Sequence, residues 1–177
     1  MAQPRQAPDL NVDGWLNSPE SLSLERLRGK VVLIEAFQML CPGCVQQALP
    51  QAARVHQTFG HDQVAVIGLH TVFEHHAAQG PDALAAFLTE YGIAFPVGID
   101  RPAAAGTLPE TMQAYAMQGT PTLILVDREG RLRRQTTGHV PDLQLGAEIA
   151  VLLGETVAGS AAGGQGPADG PVCAPAG

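Results

Sequence analysis

Two kinds of apolar pattern alternate along the chain. Short continuous runs rich in β-forming residues recur at Val31–Phe37, Val64–Leu69, Phe95–Ile99 and Thr122–Val126. Runs of that length, bounded by turn residues, predict strands buried on both faces. Segments with helical spacing lie between them. Pro81–Tyr91 puts Leu84, Phe87 and Leu88 on one face, Leu108–Met117 also reads as helix, and Leu143–Leu153 predicts a last amphipathic helix. A helix over Cys41–Phe59 follows the first long strand, and Pro50 inside it predicts a kink through the backbone bond that proline removes. Asp127-Arg-Glu-Gly130 reads as a turn, with Arg131–Thr137 as the returning strand of a hairpin. Trp15-Leu16 predicts a short edge strand, and Leu22, Leu24 and Leu27 a helical turn closed at Gly29.

The alternation predicts an α/β fold with a central mixed sheet flanked by helices, occupying residues 14–154. Residues 1–13 read as an irregular lead-in. Residues 155–177 read as a flexible tail rich in Gly, Ala and Pro, which buries too little apolar surface to offset its ordering entropy. A third cysteine, Cys173, lies in that tail and reads as a passive thiol, although a tail of about 20 residues has the reach to bring it to Cys41.

Composition narrows the function classes. With 177 residues, 45% of them hydrophobic, the chain suits one domain with a substantial core. A net charge of −7 without a basic cluster argues against nucleic acid as a partner. No apolar run approaches the roughly 20 residues of a membrane span. The opening Met1-Ala-Gln-Pro-Arg lacks the apolar stretch of a secretory signal. That absence predicts a cytoplasmic location, or a periplasmic one if a leader is missing; the chain is expected to act as a monomer.

Chemistry concentrates at Cys41-Pro-Gly-Cys44, where the strand Val31–Phe37 gives way to helix. Cys41 falls at the N-cap and Pro42 at the first helical position, which proline favours. Backbone N–H groups at a helix start lack internal partners and point at the cap, and the helix dipole favours negative charge there. A thiol so placed is stabilised as thiolate, the nucleophilic form. Cys44, one turn later, is near enough to attack a mixed disulfide formed on Cys41.

Zinc is the competing reading of the same pair. Cys41, Cys44, His56 and His61 nearly satisfy a finger spacing. Yet Cys44 and His56 share one predicted helix, and their separation along it is about 18 Å, too far for one metal. Redox chemistry is therefore the better reading, with no metal and no organic cofactor. His70, His75 and His76, near Glu74, read as exposed loop histidines rather than a metal or proton-relay site. Asp100 and Arg101 read as ordinary solvated positions.

Taken together, these motifs resemble the thioredoxin superfamily, and most closely its redoxin or TlpA-like branch of thiol–disulfide oxidoreductases. The likeness runs from about Trp15 to about Leu153. It rests on Cys41-Pro-Gly-Cys44 after the first core strand, on Gly119-Thr-Pro121-Thr-Leu-Ile-Leu-Val-Asp-Arg-Glu-Gly130, and on an extra β–α unit over roughly 64–99. The resemblance implies that Pro121 is cis and lies against the sulfurs. It implies that Pro42, Gly43, Thr120 and Pro121 contact substrate, with Thr120 offering its backbone. Glu35, six positions before Cys41 in an otherwise apolar strand, stands where the family keeps a buried carboxylate that assists proton transfer to the second cysteine. Burial would raise its pKa towards neutrality, where it serves as a base. Leu40 replaces the tryptophan usual before the first cysteine. The implied partners are protein thiols or disulfides and an upstream reductant.

Two rivals differ in chemistry. A peroxiredoxin-like peroxidase would need Pro-x-x-x-Thr-x-x-Cys, but Ile34 and Gln38 stand at those positions. A non-catalytic binding module would have no use for an intact dithiol beside Pro121.

Overall fold

The structure, a computed structural model, describes residues 5–156 apart from 105 and 107. Its strands are β1 (Val12–Leu16), β2 (Val31–Phe37), β3 (Val64–His70), β4 (Val97–Asp100), β5 (Thr122–Val126) and β6 (Leu132–Thr137). They form one mixed sheet in the order β1-β4-β3-β2-β5-β6. β2, β3 and β4 run parallel, while β1 and β5 pair antiparallel with β4 and β2, and β6 antiparallel with β5. The helices are α1 (Leu49–Thr58), α2 (Pro81–Glu90), α3 (Glu110–Ala114) and α4 (Asp142–Gly154).

β2 is the central strand, and every one of its residues is buried. Ile34 lies between Ile67 of β3 and Ile124 of β5. Alternation then divides the strand between two cores. Val31, Leu33 and Phe37 face Leu49 and Ala52 of α1 and Leu145 and Ile149 of α4. Val32, Ile34 and Ala36 face Leu24, Leu27, Met112 and Tyr115. Burying each aliphatic side chain of this kind contributes roughly 2 kcal/mol. A strand covered on both faces reads as a continuous apolar run, which is why it was visible in the sequence.

Several boundaries move for local reasons. The helix after the dithiol is not simply kinked at Pro50. Cys44–Ala48 forms a π turn, in which the Leu49 N–H reaches back to the Cys44 carbonyl, and regular α1 begins only at Leu49. A proline ring presses on the carbonyl four residues before it, here Gln46, and the wider turn gives that carbonyl room. α3 is shorter than the apolar spacing suggested. Pro109 caps its start, and Ala116, at φ +50°, lies just beyond its end.

The lead-in is not irregular up to residue 13. The boundary expected there cuts through β1. Ahead of β1 the backbone is pinned by Gln6 bridging to Arg131, by the Ala7 N–H donating to the Gly130 carbonyl at 3.0 Å, and by the Tyr115 hydroxyl donating to the Pro8 carbonyl at 2.6 Å. Backbone bonds leave no hydrophobic period, so sequence pattern could not show them. Glu155, assigned to the tail, accepts from Arg133 at 2.8 Å. The rest of the predicted tail, Cys173 included, lies outside the described residues.

Asp100 also departs from expectation, because it is buried rather than solvated. Its carboxylate accepts from the Thr71 hydroxyl at 2.8 Å and from the backbone N–H groups of Thr111 and Met112 at 2.8 and 3.1 Å. It thus caps α3 and ties it to the end of β3. Burial pushes its pKa above the usual carboxylate range, against the hydrogen bonds that pull it down. Asp100→Ala would strand three buried donors and should lower the unfolding free energy by about 3 kcal/mol in urea titration. A loss below about 0.5 kcal/mol, the size of an ordinary surface change, would contradict this reading.

Candidate active site

β2 delivers the chain to the carboxyl end of the parallel strands, where open α/β sheets place their sites. The chain turns at once, with the Cys41 N–H donating to the Gln38 carbonyl at 3.2 Å. The Val45 N–H then donates to the Cys41 carbonyl at 3.1 Å, which makes Cys41 the N-cap and Pro42 the first helical residue. The Cys44 N–H points at the Cys41 sulfur, 3.3 Å away. This is the cap arrangement in which a side-chain atom receives a free N–H of the first turn, with sulfur in the role usually taken by oxygen.

The two thiols occupy unlike surroundings. Cys41 is partly exposed, whereas Cys44 has no exposed surface. Burial is the main reason that the Cys44 thiol is pushed up to about 12, and a hydrogen bond with Cys41 adds to it. Cys44 therefore holds its proton unless a base accepts it. Thr120 and Pro121 arrive from the loop before β5, joined by a cis peptide bond. The Cys41 thiol donates to the Thr120 carbonyl at 3.6 Å. The Pro121 ring covers Gly43 so closely that a Cβ on Gly43 would lie 3.5 Å from the proline Cδ. That is ordinary contact, so the fit does not itself demand glycine. Pro42 and Leu40 are exposed beside the sulfur, which leaves an apolar side chain on the rim where the resemblance led one to look for tryptophan.

Glu35 sits on β2 between Gly68 of β3 and Leu123 of β5. Alternation places it on the same face as Leu33 and Phe37, the face whose core also takes in Cys44. Gly68 has no side chain to fill its place on the sheet, and the rings of Phe37 and Phe95 close over it. The Glu35 carboxyl is 2% exposed, and burial alone raises its pKa from 4.5 to about 8.

The structure thus brings Cys41, Cys44, Pro42, Gly43, Thr120 and Pro121 together and sets Glu35 in the core behind them. It does not unite the histidines. His75 and His76 are exposed, but His70 is the last residue of β3, buried, with its ring 5.3 Å from that of Phe37. Burial lowers its pKa from 6.5 to about 4, so it is neutral at ordinary pH. The exposed-loop reading fails for His70 because β3 runs one residue beyond its apolar run. No group of three or more metal-ligating side chains occurs among the described residues. No described helix is long and apolar enough to cross a membrane.

The family model described as Redoxin matches residues 3–148. The chain belongs to the redoxin family. Among solved structures, this redoxin chain is similar to a thioredoxin-like superfamily protein, at 56% identity and a TM-score of 0.84 over 86% of this chain and 98% of that one. It is likewise similar to a thiol-disulfide isomerase from Corynebacterium glutamicum, at 51% identity and a TM-score of 0.81 over 85% and 98% of the two chains. Protein DipZ of Mycobacterium bovis is 35% identical over 136 residues, 75% of this chain. The matched region spans only 18% of DipZ, so the activity of that longer protein as a whole is not carried over.

The raised Glu35 pKa has a consequence for stability. Folded Glu35 keeps its proton until about pH 8, whereas an unperturbed glutamate releases it near 4.5. Unfolding therefore releases a proton between those values, and stability falls as pH rises through that window. Glu35→Gln removes this dependence. Relative to the parent it should gain about 4 kcal/mol in urea titration on going from about pH 5 to about pH 8.5. A difference between the two proteins that does not change with pH would show that Glu35 titrates normally.

Proposed function

We propose that this redoxin-family chain is a thiol–disulfide oxidoreductase that exchanges its Cys41–Cys44 dithiol with protein thiols and disulfides. The supporting observation is the pair of unlike thiols on one helix turn: a partly exposed sulfur that receives a backbone N–H, and a fully buried one that keeps its proton. In the reducing direction the Cys41 thiolate attacks one sulfur of a substrate disulfide. The S–S bond breaks, the other substrate sulfur leaves as a thiolate, and a mixed disulfide joins Cys41 to the substrate. Cys44 then gives up its proton and attacks the Cys41 sulfur. The second substrate sulfur leaves, and a Cys41–Cys44 disulfide remains. Two electrons have passed to the substrate, and an upstream dithiol restores the protein by the reverse steps.

Cys44 is the step that needs help, since a thiol held near 12 is almost wholly protonated at neutral pH. Glu35 is the base that we assign to it. A carboxyl that titrates near 8 has a usable ionised fraction at neutral pH and a proton affinity matched to the task. Thr120 and Pro121, with the exposed Pro42 and the half-buried Gly43, form the contact surface for the substrate chain beside the disulfide.

The peroxidase alternative is poorly supported. Ile34 is a fully buried strand residue paired with Ile67 and Ile124. The Gln38 side chain is hydrogen-bonded to another loop rather than aimed at Cys41.

Single cysteine variants test the order of events. Cys41→Ser should lose disulfide reduction. Cys44→Ser should accumulate mixed disulfides with protein substrates, visible as mass adducts that dithiothreitol removes. Turnover by Cys44→Ser at the rate of the parent would rule out resolution by the second cysteine.

A further inference from the structure

The segment Thr71–Gly80, between β3 and α2, is the part of the molecule outside the dithiol with the most chemistry left unexplained. It leaves β3 at the same end of the sheet as the dithiol, and the Thr71 N–H donates to the Phe37 carbonyl at 3.0 Å. Glu74, His75, His76, Ala77 and Ala78 are exposed, and His75 adopts a left-handed backbone at φ +51°. Only a few per cent of residues other than glycine do so.

What holds this segment is Gln38, three residues before Cys41. Its side chain is 1% exposed. The Gln38 Oε1 accepts from the Phe73 N–H at 3.3 Å and from Gln79 Nε2 at 3.1 Å, and Gln38 Nε2 donates to Glu74 Oε1 at 3.4 Å. Gln79 Nε2 also donates to the Glu74 carbonyl at 2.9 Å, bracing the segment from within. The backbone of the same Gln38 accepts from Cys41. One buried glutamine therefore ties the redox motif to the loop. Beneath the loop, His70 Nε2 and Gln79 Oε1 are both buried without a hydrogen-bond partner. Buried polar atoms left so are costly and uncommon.

We propose that Thr71–Gly80 is the arm by which the dithiol discriminates protein disulfides from small ones, and that Gln38 is the residue that positions it. The proposal rests on the oxidoreductase reading and deepens it. A protein substrate extends past the reacting sulfurs and meets the exposed Glu74–Ala78 rim, whereas a small disulfide reaches Cys41 without touching it. Cys41 is partly exposed among the described residues. The groove of about 440 Å³ lined by Arg133, Arg134, Glu148 and Val151 includes none of the dithiol residues.

The test compares Gln38→Leu and Gln79→Leu with the parent. Gln38→Leu removes all three side-chain bonds to the arm; Gln79→Leu removes the clamp from the arm's own side and leaves the motif untouched. Each protein is chemically reduced, and the second-order rate constants for its oxidation are measured with insulin and with oxidised glutathione. Each variant should lose about tenfold against insulin and less than about twofold against oxidised glutathione, since only the interaction with the larger substrate is removed. Equal losses on both substrates would assign Gln38 and Gln79 a purely structural role and overturn the proposal, as would an unchanged rate with insulin. A parent that reacts with oxidised glutathione but ignores insulin overturns it too. A parent oxidised by neither disulfide overturns the oxidoreductase reading itself.

Discussion

The complete burial of β2 is the constraint on which the rest of the molecule depends. It has a strand on each side and apolar cover on each face, and all of its residues are buried. A strand so enclosed has one register, because a slip by one residue would exchange its two faces. Its carboxyl end is therefore fixed in space, and Gln38, Cys41 and the first helical turn are fixed with it. The same burial sets the electrostatics. It raises Glu35 to about 8 and Cys44 to about 12, while Cys41, just past the strand, stays partly exposed. Geometry and acid–base chemistry have one source.

That source also explains the division of labour that we propose between the sulfurs. A nucleophile must meet its substrate, and a resolving thiol must wait until the mixed disulfide has formed. Exposure provides the first property and burial the second. A carboxyl within the core behind the motif costs stability at neutral pH, since its ionised form is poorly solvated there. The fold tolerates that cost because the flanking apolar layers are extensive. Gln38 extends the same logic to the rim: a polar side chain is kept in the interior, and its hydrogen bonds are directed to the loop that borders the site.

Much of this was legible in the sequence where one local rule decided the outcome. Continuous apolar runs marked β2, β3 and β5, and Cys41-Pro42 marked the helix start by its capping chemistry. Glu35 stood out because a carboxyl inside such a run has few explanations. Other features depended on residues far apart in the chain. Asp100 looked solvated because its partners, Thr71 and Thr111, come from separate elements. Gln38 drew notice only as a mismatch to a peroxidase pattern, because its contacts lie more than 30 positions ahead. The pinned residues before β1 use backbone bonds, which side-chain periodicity does not report. The π turn before Pro50 needed the actual helix geometry.

The central claim is that Cys41 and Cys44 form a reversible redox pair. A redox titration tests it most directly: the protein is equilibrated across a series of glutathione ratios, quenched with acid and mapped by mass spectrometry. The account predicts a single two-electron transition in which an intramolecular Cys41–Cys44 disulfide replaces the two thiols and reverts on the return titration. A dithiol that never closes on itself, or that ends as stable glutathione adducts at both cysteines, would contradict it.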